Sequence, residues 1–378
     1  MKVALIIMDL ELAGGAEHDI VNLSTGLHAV GHTPVVVTSG GRLCENIERE
    51  GVPVVRYPVN SRSPGQLWRN AGLLAELAEQ YQVDVLNPQG VYPSLSCRWA
   101  SRRLLRRGRK VPNITTIHML NKLTWWYYKL GAIVLNRIAD HVIFESQCEL
   151  NRLSKRGFRR PHTVIPNCFP ASKLESVTDS REMVRRELGC SDDNVLFIMP
   201  ARMSWEKQHS LLFEAVSRPE VRGSRARFYL AGDGPLLEEN KTAVERLGLN
   251  DRVTFGGFRR DLPRLYKAAD AFLLCSRYES LPLSIREGMG AALPVIATDV
   301  GGISEAVEDG QSGFLVPPGD AAALADAIVR LAADPALRRN LGRRGQEIYR
   351  TRFDYDHWIR RTIEVMSAVR EEFIQRHR

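Results

Sequence analysis

The chain has 378 residues, 44% hydrophobic and 25% charged, room for about two domains of ordinary globular composition, which excludes intrinsic disorder, a collagen-like repeat and a disulfide scaffold. No stretch approaches the ~18–20 uninterrupted apolar residues of a membrane-crossing helix. The formal charge of +8 is uneven: residues 1–170 hold 21 Lys and Arg against 13 Asp and Glu, and the remainder holds 31 of each, so the first half is the one expected to meet something anionic. Val3–Met8, closed by Asp9 and Glu11, is too short for a signal-peptide core and predicts a buried first strand, with the cytoplasm as the expected location. Gly15–Val30 carries Ala16, Ile20, Leu23, Leu27 and Val30 at steps of three and four before Gly31, a helix ended by its glycine. Further strands are predicted at Pro34–Thr38, Val52–Arg56, Asp84–Asn87, Asn113–His118, His141–Phe144 and Thr163–Ile165. Several are continuous Val/Ile runs, the mark of a parallel sheet covered on both faces.

The second half repeats this alternation. Strands are predicted at Asn194–Met199, Arg227–Ala231, Val253–Phe255, Ala271–Cys275 and Pro294–Ala297, and helices at Lys207–Val216, Gly234–Leu247, Leu262–Ala268, Ser284–Gly290, Ile303–Val307, Ala321–Ala333 and Pro335–Tyr349. The expected architecture is two doubly wound α/β domains, 1–170 and 171–352, joined near Asn167–Ser180, with ligands at the carboxyl ends of the strands. A last helix over Phe353–Phe373 follows. Cys44, Cys97, Cys148, Cys168, Cys190 and Cys275 are scattered without metal-ligand spacing and read as reduced, packed thiols.

Candidate chemistry gathers at strand ends. Ala13-Gly14-Gly15-Ala16-Glu17 opens into a helix, where backbone amides and the helix N-terminus favour an anion; a bare strand-to-helix turn is equally consistent, and the spacing is not that of a dinucleotide site. Arg202 and Lys207 flank a loop after the first strand of the second half, two cations suited to a diphosphate or to solvent. Ala231-Gly232-Asp233-Gly234-Pro235 and Phe255-Gly256-Gly257-Phe258 are turns at strand ends, the second able to let backbone approach a flat ring. In Ser276–Gly288, Glu279 lies on a loop and Glu287 about one turn into the next helix. Two such carboxylates can accept hydrogen bonds from several hydroxyls of one ligand, or serve as a glycosidase pair.

The ordered set Gly14-Gly15, Val164-Ile165-Pro166-Asn167, Arg202 and Lys207, Ala231-Gly232-Asp233-Gly234-Pro235, Glu279 with Glu287, and Gly301-Gly302 with Glu305 resembles the GT-B glycosyltransferases of family GT4, across nearly the whole chain. Ala201 stands where that family usually has Gly, and Ser280 where it often has Gly or Pro. The resemblance implies two Rossmann-like domains, with the last helix (353–378) packed back on the first. It implies a retaining transfer of sugar from a nucleotide-diphosphate sugar, UDP- or GDP-linked, to a glycan, lipid-linked or cell-envelope acceptor, without a metal or other cofactor. By the same resemblance, Arg202 and Lys207 bind the diphosphate and Glu287 the ribose. Glu279 holds sugar hydroxyls, the backbone of Ser280, Leu281, Pro282 and Leu283 meets sugar and phosphate, and Gly256, Gly257 and Phe258 flank the base. Gly14 and Gly15 close over the diphosphate, and His118, ending Thr115-Thr116-Ile117-His118, stands beside the donor sugar. A sugar-nucleotide epimerase or hydrolase of this fold, and a non-catalytic sugar-nucleotide- or glycan-binding protein, are the alternatives. On the acceptor side, Arg98, Arg102, Arg103, Arg106, Arg107, Arg109 and Lys110 precede Trp125-Trp126-Tyr127-Tyr128-Lys129. That mixture suits an anionic membrane surface or sugar stacking, or a solvated basic helix beside a packed aromatic segment; no nucleic-acid module accompanies the charge.

Overall fold

The apolar runs form parallel strands whose two faces are both covered by helices, in a computed structural model that describes residues 1–11, 14–60, 63–120 and 124–378. The chain divides into two units: Met1–Cys168 together with Tyr355–Arg378, and Phe169–Asp354. The strands of the first unit are β1 (Lys2–Ile6), β2 (Thr33–Thr38), β3 (Val54–Arg56), β4 (Val85–Pro88), β5 (Ile114–Ile117), β6 (His141–Phe144) and β7 (His162–Val164). They order as β3-β2-β1-β4 and β5-β6-β7, linked by parallel bridges from Leu86 to Asn113 and from Gln89 to Thr116. Leu5, Val36 and Leu86 are fully buried along them.

The second unit has β8 (Val195–Pro200), β9 (Ala226–Ala231), β10 (Val253–Gly257), β11 (Ala271–Leu274), β12 (Val295–Thr298) and β13 (Gly313–Val316), in the order β10-β9-β8-β11-β12-β13. In each unit the order reverses beside the first strand. β1 lies between β2 and β4, and β8 lies between β9 and β11. A reversal of this kind opens a crevice at the carboxyl ends of the two flanking strands, where doubly wound sheets hold their ligands.

Several boundaries differ from the sequence expectation for local reasons. The first helix spans Gly15–Ala29, and Val30, in register with its apolar face, is 55% exposed. Lys207 lies on a single 3-10 turn, Trp205–Lys207, and the helix behind it starts at His209 because Gln208 adopts a left-handed φ of 47°. The helix expected from Gly234 starts instead at Leu237, since Gly232 and Gly234 lie against the backbone of Ala201 and Met203. β13 has no counterpart in the sequence expectation. Its Gly313 lets β12 approach so closely that a Cβ there would stand 2.2 Å from the Val295 carbonyl oxygen.

The last helix, Tyr355–Arg376, belongs to the first unit. Tyr355 Oη donates to the Asn22 carbonyl at 2.7 Å, Ile359 fills the space left open by Gly26, and Arg370 pairs with Asp84 at 2.9 Å. Among the described residues, no helix is long and apolar enough to cross a membrane.

Candidate functional site

In the second unit the chemistry-bearing side chains stand at the strand reversal. β8 ends at Pro200, and Ala201–Ser204 then passes under Gly232 and Gly234. A Cβ at those glycines would come within 2.0 Å of the Ala201 carbonyl oxygen and 2.6 Å of the Met203 carbonyl oxygen. The glycines of the Gly232–Gly234 turn therefore serve the close approach of the loop that carries Arg202. Arg202 donates to Glu206 at 2.7 Å with its side chain 46% exposed, leaving guanidinium N–H groups for a ligand. Burial opposes ionisation of Glu206, yet hydrogen bonds from Ser204, its own backbone and Arg202 hold its carboxyl below the usual range.

Lys207 Nζ reaches across to the loop after β11 and donates to Glu279 Oε1 at 2.5 Å, an oxygen that also accepts from Ser276 Oγ at 2.6 Å. The backbones of the two loops are tied by Arg277 N to the Glu206 carbonyl at 2.7 Å. Gly301, at φ 65°, stacks on the Glu279 carbonyl, and Gly302 N donates to the Ser280 carbonyl at 2.6 Å. The loop then enters the helix Leu283–Gly290 through Pro282, with no side-chain cap, so first-turn amides are free to meet an anion. Buried Arg286 braces the loop by donating to the Leu281 carbonyl at 2.8 Å.

Glu287, one turn into this helix, accepts from Tyr266 Oη at 2.6 Å. Burial pushes its carboxyl up, against the offsetting effects of Tyr266, Lys173 and Arg286. Gly256 owes its missing side chain to Tyr229, whose hydroxyl would lie 2.2 Å from a Cβ. Gly257 has a left-handed φ of 63° with open space around it, and Phe258 is exposed. Lys207, Glu279 and the Ser280–Leu283 loop are thus brought together. Arg202 is joined to them through Glu206 and Arg277, and Glu287 is tied to Tyr266.

The first unit places Gly14, Gly15 and His118 at the equivalent reversal. Gly14 caps the helix Gly15–Ala29 without a side-chain bond, and a Cβ there would meet the Glu17 carboxylate at 2.5 Å. Ala13 of the same motif lies outside the described residues. His118 follows β5, Gln89 follows β4 and Glu145 follows β6, so the three become neighbours. His118 Nε2 is 2.8 Å from Gln89 Oε1, Nδ1 contacts Glu145 Oε1 directly, and Asp19 Oδ2 stands 3.8 Å from Nδ1. Burial works against the charged ring, but Glu145, Asp19 and Glu17 outweigh it and raise the imidazole to about 9.

Among the described residues, Asp19, His118 and Glu145 are the set whose ligand atoms, within 4.8 Å of one another, could share a cation. Direct His118–Glu145 contact is ion-pair geometry, because two ligands each ~2.0–2.2 Å from one tetrahedral ion stand about 3 Å or more apart. Gln89, Glu145, Asp19, Glu206 and Tyr266 escaped sequence reasoning. Position just after a strand was the available signal for the first two.

The basic stretch is less free than its composition implies. Arg98 pairs with Asp140 at 3.0 Å and Arg107 with Glu79 at 2.8 Å. Arg109 donates to the Ala78 and Val83 carbonyls, and Arg103 lies 4.1 Å over the Trp68 ring. Tyr128 is buried, whereas Trp125, Trp126, Leu130 and Ile133 are exposed.

Residues 13–173 match the family described as Glycosyltransferase Family 4, and residues 180–348 match the one described as Glycosyl transferases group 1. N-acetyl-alpha-D-glucosaminyl L-malate synthase of Bacillus anthracis is 27% identical over 365 residues, covering 92% of each chain. Lipopolysaccharide core biosynthesis glycosyltransferase LpsD of Rhizobium meliloti is 28% identical, covering 90% of this chain and 91% of its own. Among solved structures, Anabaena Alr3699/HepE in complex with UDP and glucose superposes with a TM-score of 0.85 at 25% identity, covering 97% of this chain and 99% of that one.

Proposed function

The chain belongs to the GT4-type glycosyltransferases of the GT-B fold, and from that premise we propose that it moves a hexose, with retention, from a UDP- or GDP-sugar to a glycan, lipid-linked or cell-envelope acceptor. The observation that carries this is the Lys207–Glu279 pair at the β8/β11 reversal, with Arg202 exposed on the adjoining loop. Breaking a glycosyl–phosphate bond builds negative charge on the departing diphosphate, and fixed cations there lower the barrier without reorganising. Arg202, Lys207 and backbone groups of Ser280–Leu283 take the diphosphate. Glu279 takes sugar hydroxyls, Glu287 the ribose, and Gly256–Phe258 the base. Gly14, Gly15 and His118 are the first unit's share of the same reaction. Retention uses the leaving phosphate oxygen as the base on the same face, so no protein nucleophile or metal is required.

Thermal unfolding with UDP, GDP, ADP and their sugars, in excess EDTA, tests this. One base family is expected to raise the apparent stability, by about 2.7 kcal/mol at a hundredfold excess over its Kd, and transfer is expected to survive the chelator. Loss of transfer in EDTA, with recovery on adding a divalent ion, would refute the metal-free part. The absence of any shift in a folded sample would refute the donor assignment.

Trp126, Leu130 and Ile133 step along one side of the helix Trp125–Ile138, with Lys129 and Arg137 on the same element. Aromatic and aliphatic side chains flanked by cations bind the interface of anionic lipid, which favours an acceptor presented at a membrane. Sedimentation with phosphatidylglycerol vesicles is expected to carry the protein down. Phosphatidylcholine vesicles are expected to leave it in solution, and Trp126→Ala with Leu130→Ala to weaken the first result. Equal recovery with both lipids refutes the membrane assignment.

A further inference from the structure

Nε2 of His118 faces an acceptor, and the surrounding amides fix which atom that is. Asn87 Nδ2 donates to the Ile114 carbonyl at 2.7 Å and to Thr116 Oγ1 at 3.0 Å, so Asn87 presents its amide oxygen to Gln89. Gln89 Nε2 donates to that oxygen at 2.6 Å and to the Asn87 carbonyl at 3.1 Å. The oxygen of Gln89 is therefore the atom turned toward His118, and Nε2 of the ring must donate to it. On the other side Nδ1 touches Glu145 Oε1, an oxygen that already accepts from Asn167 Nδ2 at 3.0 Å. That contact is an ion pair without hydrogen-bond alignment, and because a bare nitrogen lone pair against a carboxylate oxygen would be repulsive, Nδ1 carries a proton as well.

We propose that Gln89 and Glu145 are positioning residues that lock His118 as an imidazolium, Gln89 by accepting from Nε2 and Glu145 by pairing its charge with Nδ1, so that it serves the transfer as a fixed positive charge, not as a proton acceptor. This deepens the glycosyltransferase assignment of His118 and rests on it. Among the described residues, the charged groups that face the ring are Glu145 beyond β6 and Asp19 and Glu17 of the helix Gly15–Ala29, all acidic. Without the imidazolium, three carboxylates would repel an anionic diphosphate donor. Its charge offsets one of the three, and a charge held by protein acceptors needs no solvent to rearrange as the reaction proceeds.

The test is a 15N NMR titration of the His118 ring in the full chain, between about pH 6 and pH 10, assigned by the signals lost in His118→Gln, alongside donor KM and kcat over the same range. In the native chain both nitrogens are expected to stay protonated through neutrality, with the donor KM rising as the ring loses its proton near pH 9. Glu145→Gln removes the contacting charge and is expected to lower the ring midpoint by about one to three pH units. The alkaline rise in KM should move with it, and Glu145→Asp should restore part of the shift. Gln89→Glu keeps an acceptor oxygen at Nε2 and is expected to hold the midpoint or raise it, which keeps the test alive if Glu145→Gln fails to fold.

A native midpoint near the ordinary 6.5, or one unmoved in folded Glu145→Gln, overturns the lock. A midpoint that moves while the donor KM profile stays still overturns its role in transfer. The titration needs no substrate. If the ring behaves as expected but no nucleotide sugar binds, the glycosyltransferase assignment falls, together with the part given to the charge in it, while the locked imidazolium stands.

Discussion

Lys207→Ala is expected to lower kcat/KM for the donor by about two to three orders of magnitude, the usual loss when one fixed charge-stabilising donor is removed. It is also expected to destabilise the second unit, because Glu279 is 6% exposed and would lose the cation beside its carboxylate while keeping the hydrogen bond from Ser276 Oγ. Removing one partner of a buried ion pair costs about 3–5 kcal/mol. Here the lysine side chain is 20% exposed, so a loss of about 1–3 kcal/mol is the better expectation. The two effects separate in the double variant Lys207→Ala with Glu279→Gln. An amide at that position needs no cation, so thermal stability should recover while transfer stays lost. Native kcat/KM in folded Lys207→Ala would remove Lys207 from the site.

Gly301→Ala is expected to be the most damaging change of a single methyl group in the second unit. Gly301 and Gly310 share a left-handed backbone, with φ of 65° and 70°, a conformation that costs an L-residue about 1–2 kcal/mol. They differ in space. A Cβ at Gly310 meets nothing within 4 Å, whereas one at Gly301 would stand 1.9 Å from the Glu279 carbonyl oxygen and 3.3 Å from that of Ser280. Gly310→Ala should therefore lose only the backbone term, with normal donor affinity. Gly301→Ala should lose about 3 kcal/mol or more and weaken donor binding at least about tenfold, because relief of the clash moves the loop that presents Glu279. Calorimetric unfolding and UDP or GDP titration of the pair decide it. Equal losses in the two variants would show that the loop yields freely and that Gly301 does not position Glu279.

The strands were legible wherever hydrophobic residues run unbroken. Val35–Val37 and Phe272–Leu274 are fully or nearly fully buried, as a sheet covered on both faces requires. β13 was not, because Gly313-Phe314-Leu315-Val316 is short and opens on a glycine, which marks a turn in sequence and a close strand contact in space. Spacing placed Lys207 and Glu279 on strand-end loops and resemblance attached roles to them, but their mutual contact spans 72 residues of chain, and no periodicity reports it. His118 shows this most clearly. Its partners arrive from the ends of β4 and β6, and they are partners only because β5 lies between those strands, a consequence of sheet order. Charge was legible in Arg98–Lys110 as an excess, while its uses were not. Arg109 is spent on two carbonyls and Arg98 on Asp140, local bonds that a count of cations cannot anticipate.

The division of the chain also orders its folding during synthesis. Phe169–Asp354 is one continuous piece and can close its sheet as it leaves the ribosome. The first unit cannot finish when Cys168 emerges, because Tyr355–Arg376 is still unmade, and the groove at Asn22 and Gly26 that Tyr355 and Ile359 occupy is open. At about 5–20 residues per second, that surface waits on the order of ten seconds or more for its helix. During that interval the nascent first unit presents apolar surface that the finished protein hides, so the half begun first is the half completed last.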